Sequence, residues 1–197
     1  MNEKITSYCE NQERTRNKAT YASGVEEIQE RFVRLLPENG TMMDLGCGSG
    51  RNTIYFSKKG LRVTPVEGSR ILSDIATRNT GIKVRRMMFQ ELTDVDEYYG
   101  VWAGSSVLHF PYEQLVDVLR RIHKALKKDG VLYLSFKYGY FEGVRNGRHV
   151  LDMDETKFGK LLAKIEGFEI KEMFITSDER PNCQKQQWMN VFLSRID

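Results

Sequence analysis

Apolar positions along the chain follow two patterns, one with helical spacing and one of short continuous runs. Residues 112–128 show the helical pattern most clearly, because Leu115, Leu119 and Ile122 fall on one face. Helices are predicted over 24–36, 51–59, 112–128 and 155–166, with a further helix after the capping residue Ser69. Strands are predicted over 41–45, 61–66, 81–89, 98–108, 130–136, 168–176 and 187–195.

Strands and helices alternate up to residue 166, and the last two strands follow one another without a helix between them. This order predicts an α/β fold with a Rossmann-like, doubly wound, mostly parallel seven-stranded sheet and a C-terminal antiparallel hairpin. The polar, glycine-rich segment 138–150 is predicted to be a loop. Residues 1–23 are polar and predict an N-terminal arm or lid, so that 24–197 forms a single domain.

Composition narrows the expected location and partners of the protein. The net charge of +3 over 197 residues permits an anionic substrate but gives no argument for nucleic acid. No apolar run reaches the roughly 20 residues of a membrane span, and the N-terminus lacks an apolar signal segment. Three widely spaced cysteines, Cys9, Cys47 and Cys183, form no metal-ligand pattern. We therefore expect reduced thiols, a cytoplasmic location, no membrane contact and no bound metal.

Three glycines at alternate positions follow the first predicted strand, in the stretch DLGCGSGR that begins at Asp44. A dinucleotide fingerprint has the spacing GxGxxG, but its third glycine position is occupied here by Arg51. No phosphate-binding lysine follows, and a carboxylate at Asp44 suits a ligand that carries positive charge. Glu67 ends the next strand, where an acid can accept both hydroxyl groups of a ribose. Together these features predict a ribose-containing ligand without phosphate groups.

From Met42 to the C-terminus the chain resembles the class I S-adenosylmethionine-dependent methyltransferases, and within them a small bacterial branch described as tellurite-resistance-like. The resemblance is carried by the phrases DLGCGSGR, PVEGS, WAGSSVLHFP and SFKYGYFEGVRNGR. It implies a methyltransferase with S-adenosylmethionine as the methyl donor and S-adenosylhomocysteine as the product. It is specific for the cofactor and poorly specific for the acceptor, because the fold hosts many acceptors.

The resemblance also implies which residues hold the cofactor. Asp44, Gly46 and Gly48 are expected beneath its methionine part, and Glu67 is expected to hold the ribose. The backbone carbonyls of Ala103 and Gly104 are expected to receive the methionine amine. The predicted site also includes the neighbouring residues Cys47, Gly50, Arg51 and Gly68.

One position departs from the pattern of that branch. Met88 stands where an Asp normally receives the adenine amino group. Gln90 or the backbone around Phe89 could replace that acid, and Met88 could pack on the adenine ring. If neither does, the resemblance implies weak cofactor affinity or lost activity.

The acceptor side is predicted from residues that follow the fourth and fifth strands. His109 is the candidate catalytic base, needed only if the acceptor must lose a proton; alternatively, it caps the next helix or packs against the sheet. The candidate substrate-binding residues are Tyr138, Arg148, Arg180 and Trp188. The alternative for this region is a polar loop closed by ion pairs such as Arg148 with Asp152.

The sequence favours a small, anionic acceptor over nucleic acid. It lacks the (Asp/Asn)-Pro-Pro-(Tyr/Phe) signature of adenine-modifying methyltransferases after the fourth strand, and it has no basic region interleaved with aromatic residues. Three alternatives remain open. One is a methyltransferase that acts on a protein or RNA. Another is a degenerate cofactor-binding domain that serves as a partner or regulator, which Met88 favours. The third is a nicotinamide-dependent oxidoreductase, against which the GxGxG spacing argues.

Overall fold

The computed structural model describes residues 24–177 and 186–197, so the predicted arm 1–23 and Arg180 lie outside the described residues. The helices are α1 (Val25–Arg34), α2 (Arg51–Lys58), α3 (Arg70–Thr80), α4 (Tyr112–Ala125) and α5 (Glu155–Leu162). The strands are β1 (Thr41–Leu45), β2 (Arg62–Glu67), β3 (Arg85–Arg86), β4 (Tyr98–Ala103), β5 (Leu126–Lys137), β6 (Glu142–Arg145), β7 (Arg148–Leu151), β8 (Phe168–Ser177) and β9 (Gln187–Arg195). Short 3-10 helices span Phe89–Glu91 and Val107–His109.

Seven of these strands form one sheet in the order β3-β2-β1-β4-β5-β9-β8. The pairs among β1 to β5 are parallel, whereas β9 runs antiparallel to both β5 and β8. The predicted mostly parallel, seven-stranded sheet with a C-terminal antiparallel hairpin is therefore confirmed. In such a sheet the carboxyl ends of β1, β2 and β4 meet at one edge, which is where ligands bind in open α/β folds.

Helices cover both faces of the sheet. On one face, the rings of Phe32 in α1 and Phe56 in α2 lie 5.4 and 5.1 Å from the Trp102 ring of β4. On the other face, α4 and α5 contribute buried side chains, such as Leu115 and Phe158, to the larger core cluster. No helix in residues 24–177 or 186–197 is long and apolar enough to cross a membrane.

Several element boundaries differ from the sequence prediction, and strand pairing sets two of them. Helix α4 ends at Ala125 and not at 128, because Leu126 is fully buried and already pairs with Tyr98 of β4 as the first residue of β5. Strand β3, at the edge of the sheet, contains only Arg85 and Arg86, which pair with Val66 and Glu67. Both differences come from strand pairing, which local periodicity does not report.

The prediction of a loop over 138–150 is wrong, because this segment contains the antiparallel hairpin of β6 and β7. Asn146 and Gly147 form its two-residue turn with φ angles of 51° and 75°. This is the backbone that an Asn-Gly pair favours in a tight hairpin, so the dipeptide was the signal that could have found it. The hairpin places Arg148 directly after the turn, opposite Arg145.

Candidate active site

The glycine loop connects β1 to α2 and is fastened to the end of β2. The backbone N–H groups of Gly46 and Cys47 both donate to the Val66 carbonyl, at 2.9 and 3.0 Å. At Gly46 (φ 85°), a Cβ atom would lie 2.6 Å from Cβ of Ser106, so the protein itself requires glycine there. At Gly48 no atom lies within 4 Å of the corresponding position. The loop therefore leaves open space above Gly48, next to exposed backbone.

Glu67 presents a buried carboxylate beside that space. It is the last residue of β2 and only 4% exposed. Its Oε2 atom accepts the Gly48 N–H at 3.1 Å, and its Oε1 atom accepts the Ser69 N–H at 2.8 Å. These two contacts fix the carboxylate between the glycine loop and the start of α3, where the predicted cap by Ser69 accepts the Leu72 N–H. A fixed acid of this kind is an acceptor for a ribose diol.

Asp44 lies fully buried at the carboxyl end of β1. Its Oδ2 atom accepts a hydrogen bond from the Thr53 hydroxyl at 2.6 Å, whereas Oδ1 has no hydrogen-bond partner among the described residues. Burial raises the pKa of Asp44 to about 7, and the charge of Glu67 adds to the rise while the Thr53 hydrogen bond opposes it. This side chain is therefore poised to change its ionisation when a positive charge arrives.

Four more residues of the predicted site lie in or beside the glycine loop. Cys47 is buried against Ala76 and Val84, and burial raises the pKa of its thiol, so this free cysteine is unreactive. Gly50 begins α2 with a φ of 90° and lies against α3. Arg51 is exposed at the first position of α2, and Gly68 is half-buried beside Glu67.

The segment that carries Met88 lies against the glycine loop. The buried Phe89 ring comes within 3.1 Å of the Cβ position of Gly46 and packs on Phe110 at 5.4 Å. The half-buried Met88 donates its N–H to Oε2 of Glu91 at 2.6 Å, which ties that carboxylate to the backbone. Oε1 of Gln90 is buried and has no hydrogen-bond partner among the described residues. Gln90 is thus the residue of this turn with an unused buried acceptor.

The carboxyl end of β4 brings Ala103 and Gly104 to the same edge. Ala103 is fully buried, and a Cβ atom at Gly104 would lie 2.9 Å from Nε1 of Trp102. That indole nitrogen is buried without a hydrogen-bond partner in the described part of the chain. Sequence reasoning missed Trp102, although its position two residues before a predicted site glycine was a usable signal. Beyond it, the Ser106 hydroxyl donates to the Leu45 carbonyl at 2.8 Å, which fixes the turn to β1.

His109 links this edge to the β6–β7 hairpin. Its Nδ1 atom lies 2.9 Å from the His149 carbonyl, and its Nε2 atom lies 3.5 Å from a guanidinium nitrogen of Arg148. Burial lowers the pKa of His109 to about 4, and the positive charges of Arg148 and Lys137 lower it further, while the His149 carbonyl opposes the shift. Because a carbonyl accepts only, Nδ1 carries the proton and Nε2 holds the lone pair. The imidazole is therefore neutral at pH 7.

The structure describes two of the other three predicted substrate-binding residues. The Tyr138 hydroxyl donates to Oε2 of Glu155 at 3.0 Å. Trp188 is half-buried in β9, paired with Lys137, the residue before Tyr138. The third residue, Arg180, lies outside the described ranges. Asp152 forms its ion pair with Arg145, at 2.8 Å, and not with Arg148 as suggested from the sequence.

These observations test whether the predicted cofactor fits. Space is open above Gly48, Glu67 stands where the ribose is predicted, and Gln90 offers an unused acceptor where the adenine is predicted. Asp44, predicted beneath the methionine part, has one carboxylate oxygen without a partner among the described residues. The donors and acceptors therefore suit an uncharged base, a ribose and an ammonium group. Within the described residues, no group of three or more His, Cys, Asp or Glu side chains could hold a metal ion.

Comparisons with known proteins find a related domain and a shared fold. Residues 42–130 match a family model described as a methyltransferase domain. No curated protein sequence gives a significant match. A 1,6-didemethyltoxoflavin-N1-methyltransferase from Burkholderia thailandensis, solved with 1,6-didemethyltoxoflavin and S-adenosylhomocysteine, has a TM-score of 0.78 at 20% identity, over 99% of this chain and 88% of that chain.

Two further solved structures span almost the whole chain. A TehB-like S-adenosylmethionine-dependent methyltransferase from Corynebacterium glutamicum has a TM-score of 0.67 at 21% identity, over 98% of this chain and 100% of that one. Magnesium protoporphyrin IX methyltransferase from Synechocystis, solved with S-adenosylhomocysteine, has a TM-score of 0.70 at 17% identity, over 96% and 94%. Identities this low show a shared fold, and the family model covers residues 42–130 only. The chain therefore contains a methyltransferase domain and has the fold of S-adenosylmethionine-dependent methyltransferases.

Proposed function

We propose that this methyltransferase transfers a methyl group from S-adenosylmethionine to a small molecule that carries negative charge. In the proposed cofactor site, Glu67 accepts the ribose hydroxyls, Oε1 of Gln90 accepts the adenine amino group in place of the usual acid, and Asp44 faces the methionine ammonium. The bound cofactor supplies a methyl group activated by its sulfonium. The chain's own residues hold it in place and exclude water from the edge of the sheet.

The observation that carries the acceptor proposal is the positive environment of His109. Arg148 lies 3.5 Å from its Nε2 atom, and the charges of Arg148 and Lys137 both hold the pKa of this imidazole below its ordinary value. Such an edge attracts an anion, and an arginine can hold a carboxylate or phosphate through two nitrogen atoms. Two of the similar solved structures are named for small-molecule substrates, which supports the proposed size of the acceptor.

The same environment bears on the role of His109. A histidine with a pKa of about 4 is a weak base at neutral pH, so it removes a proton poorly from an alcohol or amine. An acceptor that arrives already ionised or with a free lone pair needs no such base. We therefore infer that His109 orients Arg148 through its Nε2 lone pair, and that its predicted role as catalytic base applies only to an acidic acceptor.

The test is an acceptor screen that measures S-adenosylhomocysteine formation with small carboxylates, phosphates and phenols, and with neutral and cationic analogues. Arg148→Gln should raise the KM of an anionic acceptor at least tenfold and leave cofactor affinity unchanged, since it removes the charge that faces the acceptor. Arg78→Gln, on the exposed surface of α3, is the matched control and should change neither quantity. A preference for neutral or cationic acceptors would contradict the proposal.

Two alternatives give different results in the same assay. A protein or RNA acceptor predicts methyl incorporation in cell extracts that protease or nuclease treatment abolishes. A degenerate binding domain predicts S-adenosylmethionine affinity without turnover on any acceptor. Met88 favours the second alternative, whereas the buried Oε1 of Gln90 supplies an acceptor that compensates for the missing acid.

A further inference from the structure

Three buried polar atoms have no hydrogen-bond partner among the described residues, and a chain of contacts links the residues that carry them. The described residues contain six such side-chain atoms, and these three are Oε1 of Gln29, Oδ1 of Asp44 and Nε1 of Trp102. Their side chains are 0%, 0% and 3% exposed. Leaving a buried donor or acceptor unsatisfied is costly, and native proteins seldom do it without a functional reason.

The contacts place the three residues in one layer between the sheet and helices α1 and α2. Asp44 of β1 and Trp102 of β4 are partners in the parallel register, so their side chains project from the same face. Thr53 of α2 donates to Asp44 at 2.6 Å, and the preceding Asn52 accepts a hydrogen bond from Nε2 of Gln29 at 2.8 Å. Gln29 lies one helical turn before Phe32, the α1 residue whose ring packs on Trp102.

The indole nitrogen of Trp102 reaches the cofactor edge of this layer. It lies 2.9 Å from the position that a Cβ atom would take at Gly104, the residue after the end of β4. Gly104 has no side chain that could cover this nitrogen. Stacking on Tyr133, at 4.0 Å and 26°, together with edge contacts from Phe32 and Phe56, holds the indole in one orientation. The donor is therefore preorganised.

Two unused acceptors and one unused donor are the complement of an α-amino acid, which offers an ammonium and a carboxylate. We propose that Trp102 binds the carboxylate of the cofactor's methionine part through its Nε1–H, while Asp44 and Gln29 receive the ammonium. The inference rests on the proposed function, since it requires the cofactor to occupy the glycine loop. It assigns to Trp102 the recognition of an intact amino-acid end, so a decarboxylated cofactor gains nothing from this contact.

The experiment compares two ligands on Trp102→Phe by calorimetry. The ligands are S-adenosylhomocysteine and its decarboxylated analogue, which lacks only the carboxylate. Phenylalanine preserves an aromatic ring on Tyr133 and removes the N–H. Loss of a buried charge-assisted hydrogen bond should weaken S-adenosylhomocysteine binding about 10- to 100-fold, with the analogue's affinity unchanged. Tyr133→Phe, which deletes a hydroxyl bonded to Asn190 in the same stack, should change both affinities less than twofold.

A second readout separates a binding role from a structural one. Because the N–H has no partner within the described residues, Trp102→Phe should lower the melting temperature of the cofactor-free protein only through the packing lost with the smaller ring. Equal weakening of both ligands, or no weakening of either, would overturn the role of Trp102. Absence of S-adenosylhomocysteine binding to the unmodified protein would instead overturn the proposed function, and this inference would fall with it.

Discussion

The buried carboxyl group of Asp44 predicts that cofactor affinity depends on pH. Burial raises its pKa from an ordinary 3.8 to about 7, so near pH 6 the cofactor-free protein holds Asp44 mostly protonated. An ammonium group beside it favours the carboxylate, so binding must release the proton. The neighbouring thiol of Cys47 does not titrate in this range, because burial raises its pKa above the ordinary 9.

The pKa shift of Asp44 sets how strongly, and in which direction, stability and cofactor affinity depend on pH. A rise from 3.8 to about 7 means that ionised Asp44 costs about 4 kcal/mol in the cofactor-free fold. Since the folded pKa is the higher one, protonation of Asp44 stabilises the fold. This stabilisation is complete below pH 3.8 and is lost as pH rises through about 7. Cofactor affinity changes with pH in the opposite direction, because binding requires the ionised carboxylate. Proton release weakens affinity about tenfold at pH 6 and almost not at all at pH 8.

Calorimetric titration of S-adenosylhomocysteine at pH 6, 7 and 8 measures this dependence directly. Affinity should rise about tenfold from pH 6 to pH 8, and paired buffers with different ionisation heats should show release of about half a proton at pH 7. Asp44→Asn is the matched control, because the amide preserves the shape and an acceptor for Thr53 but cannot titrate. Its affinity should vary little over the same range, and any slope it retains belongs to the ligand.

Two results would refute this reasoning. One is an affinity of the unmodified protein that stays constant from pH 6 to pH 8. The other is a pH slope and proton release in Asp44→Asn that equal those of the unmodified protein. Either result would mean that the ammonium group does not meet Asp44, and that the raised pKa reflects burial alone.

Three further substitutions test the site at other points. Glu67→Gln should weaken S-adenosylhomocysteine about tenfold by removing a charged acceptor, and calorimetry with an analogue that lacks both ribose hydroxyls should show no such loss; equal losses for both ligands would contradict a ribose contact. Gln90→Leu should weaken S-adenosylhomocysteine about fivefold, and an unchanged dissociation constant would return the adenine contact to backbone groups. Gly48→Ala should reduce cofactor affinity, because its Cβ meets no protein atom and enters the space proposed for the cofactor, while its φ of 56° adds some backbone strain. Gly46→Ala should lower the melting temperature more than Gly48→Ala does, because its Cβ also meets Ser106; the reverse order would contradict the site.

The sequence predicted the sheet, and the position of the glycine loop and Glu67 at its edge, because both depend on local signals. The glycine loop and Glu67 follow consecutive strands, and parallel strands bring their carboxyl ends together whatever their side chains are. The resemblance gave the position of the acid at Glu67 and the departure at Met88. It did not give the contacts, so the pairing of Glu91 with the Met88 N–H came only from the structure.

What the sequence did not predict depends on contacts between residues far apart in the chain. His109 and Arg148 meet because the β6–β7 hairpin folds back over the end of β4, and that hairpin was taken for a loop. Arg145 pairs with Asp152, whereas Arg148 lies beside His109. The sequence pattern marks Trp102 only as a buried strand residue. Its register with Asp44, which places both side chains on the same face, comes from the structure.

The replacement of the adenine-binding acid by Met88 thus changes a contact and does not by itself imply a lost function. Four of the six buried unpaired atoms in the described residues lie on Gln29, Asp44, Gln90 and Trp102, all assigned above to the cofactor. Each such atom costs roughly 1–3 kcal/mol, and an apolar residue of similar shape would avoid that cost. A domain that no longer binds the cofactor gains nothing from keeping them. Keeping them therefore favours a working cofactor site over a degenerate one.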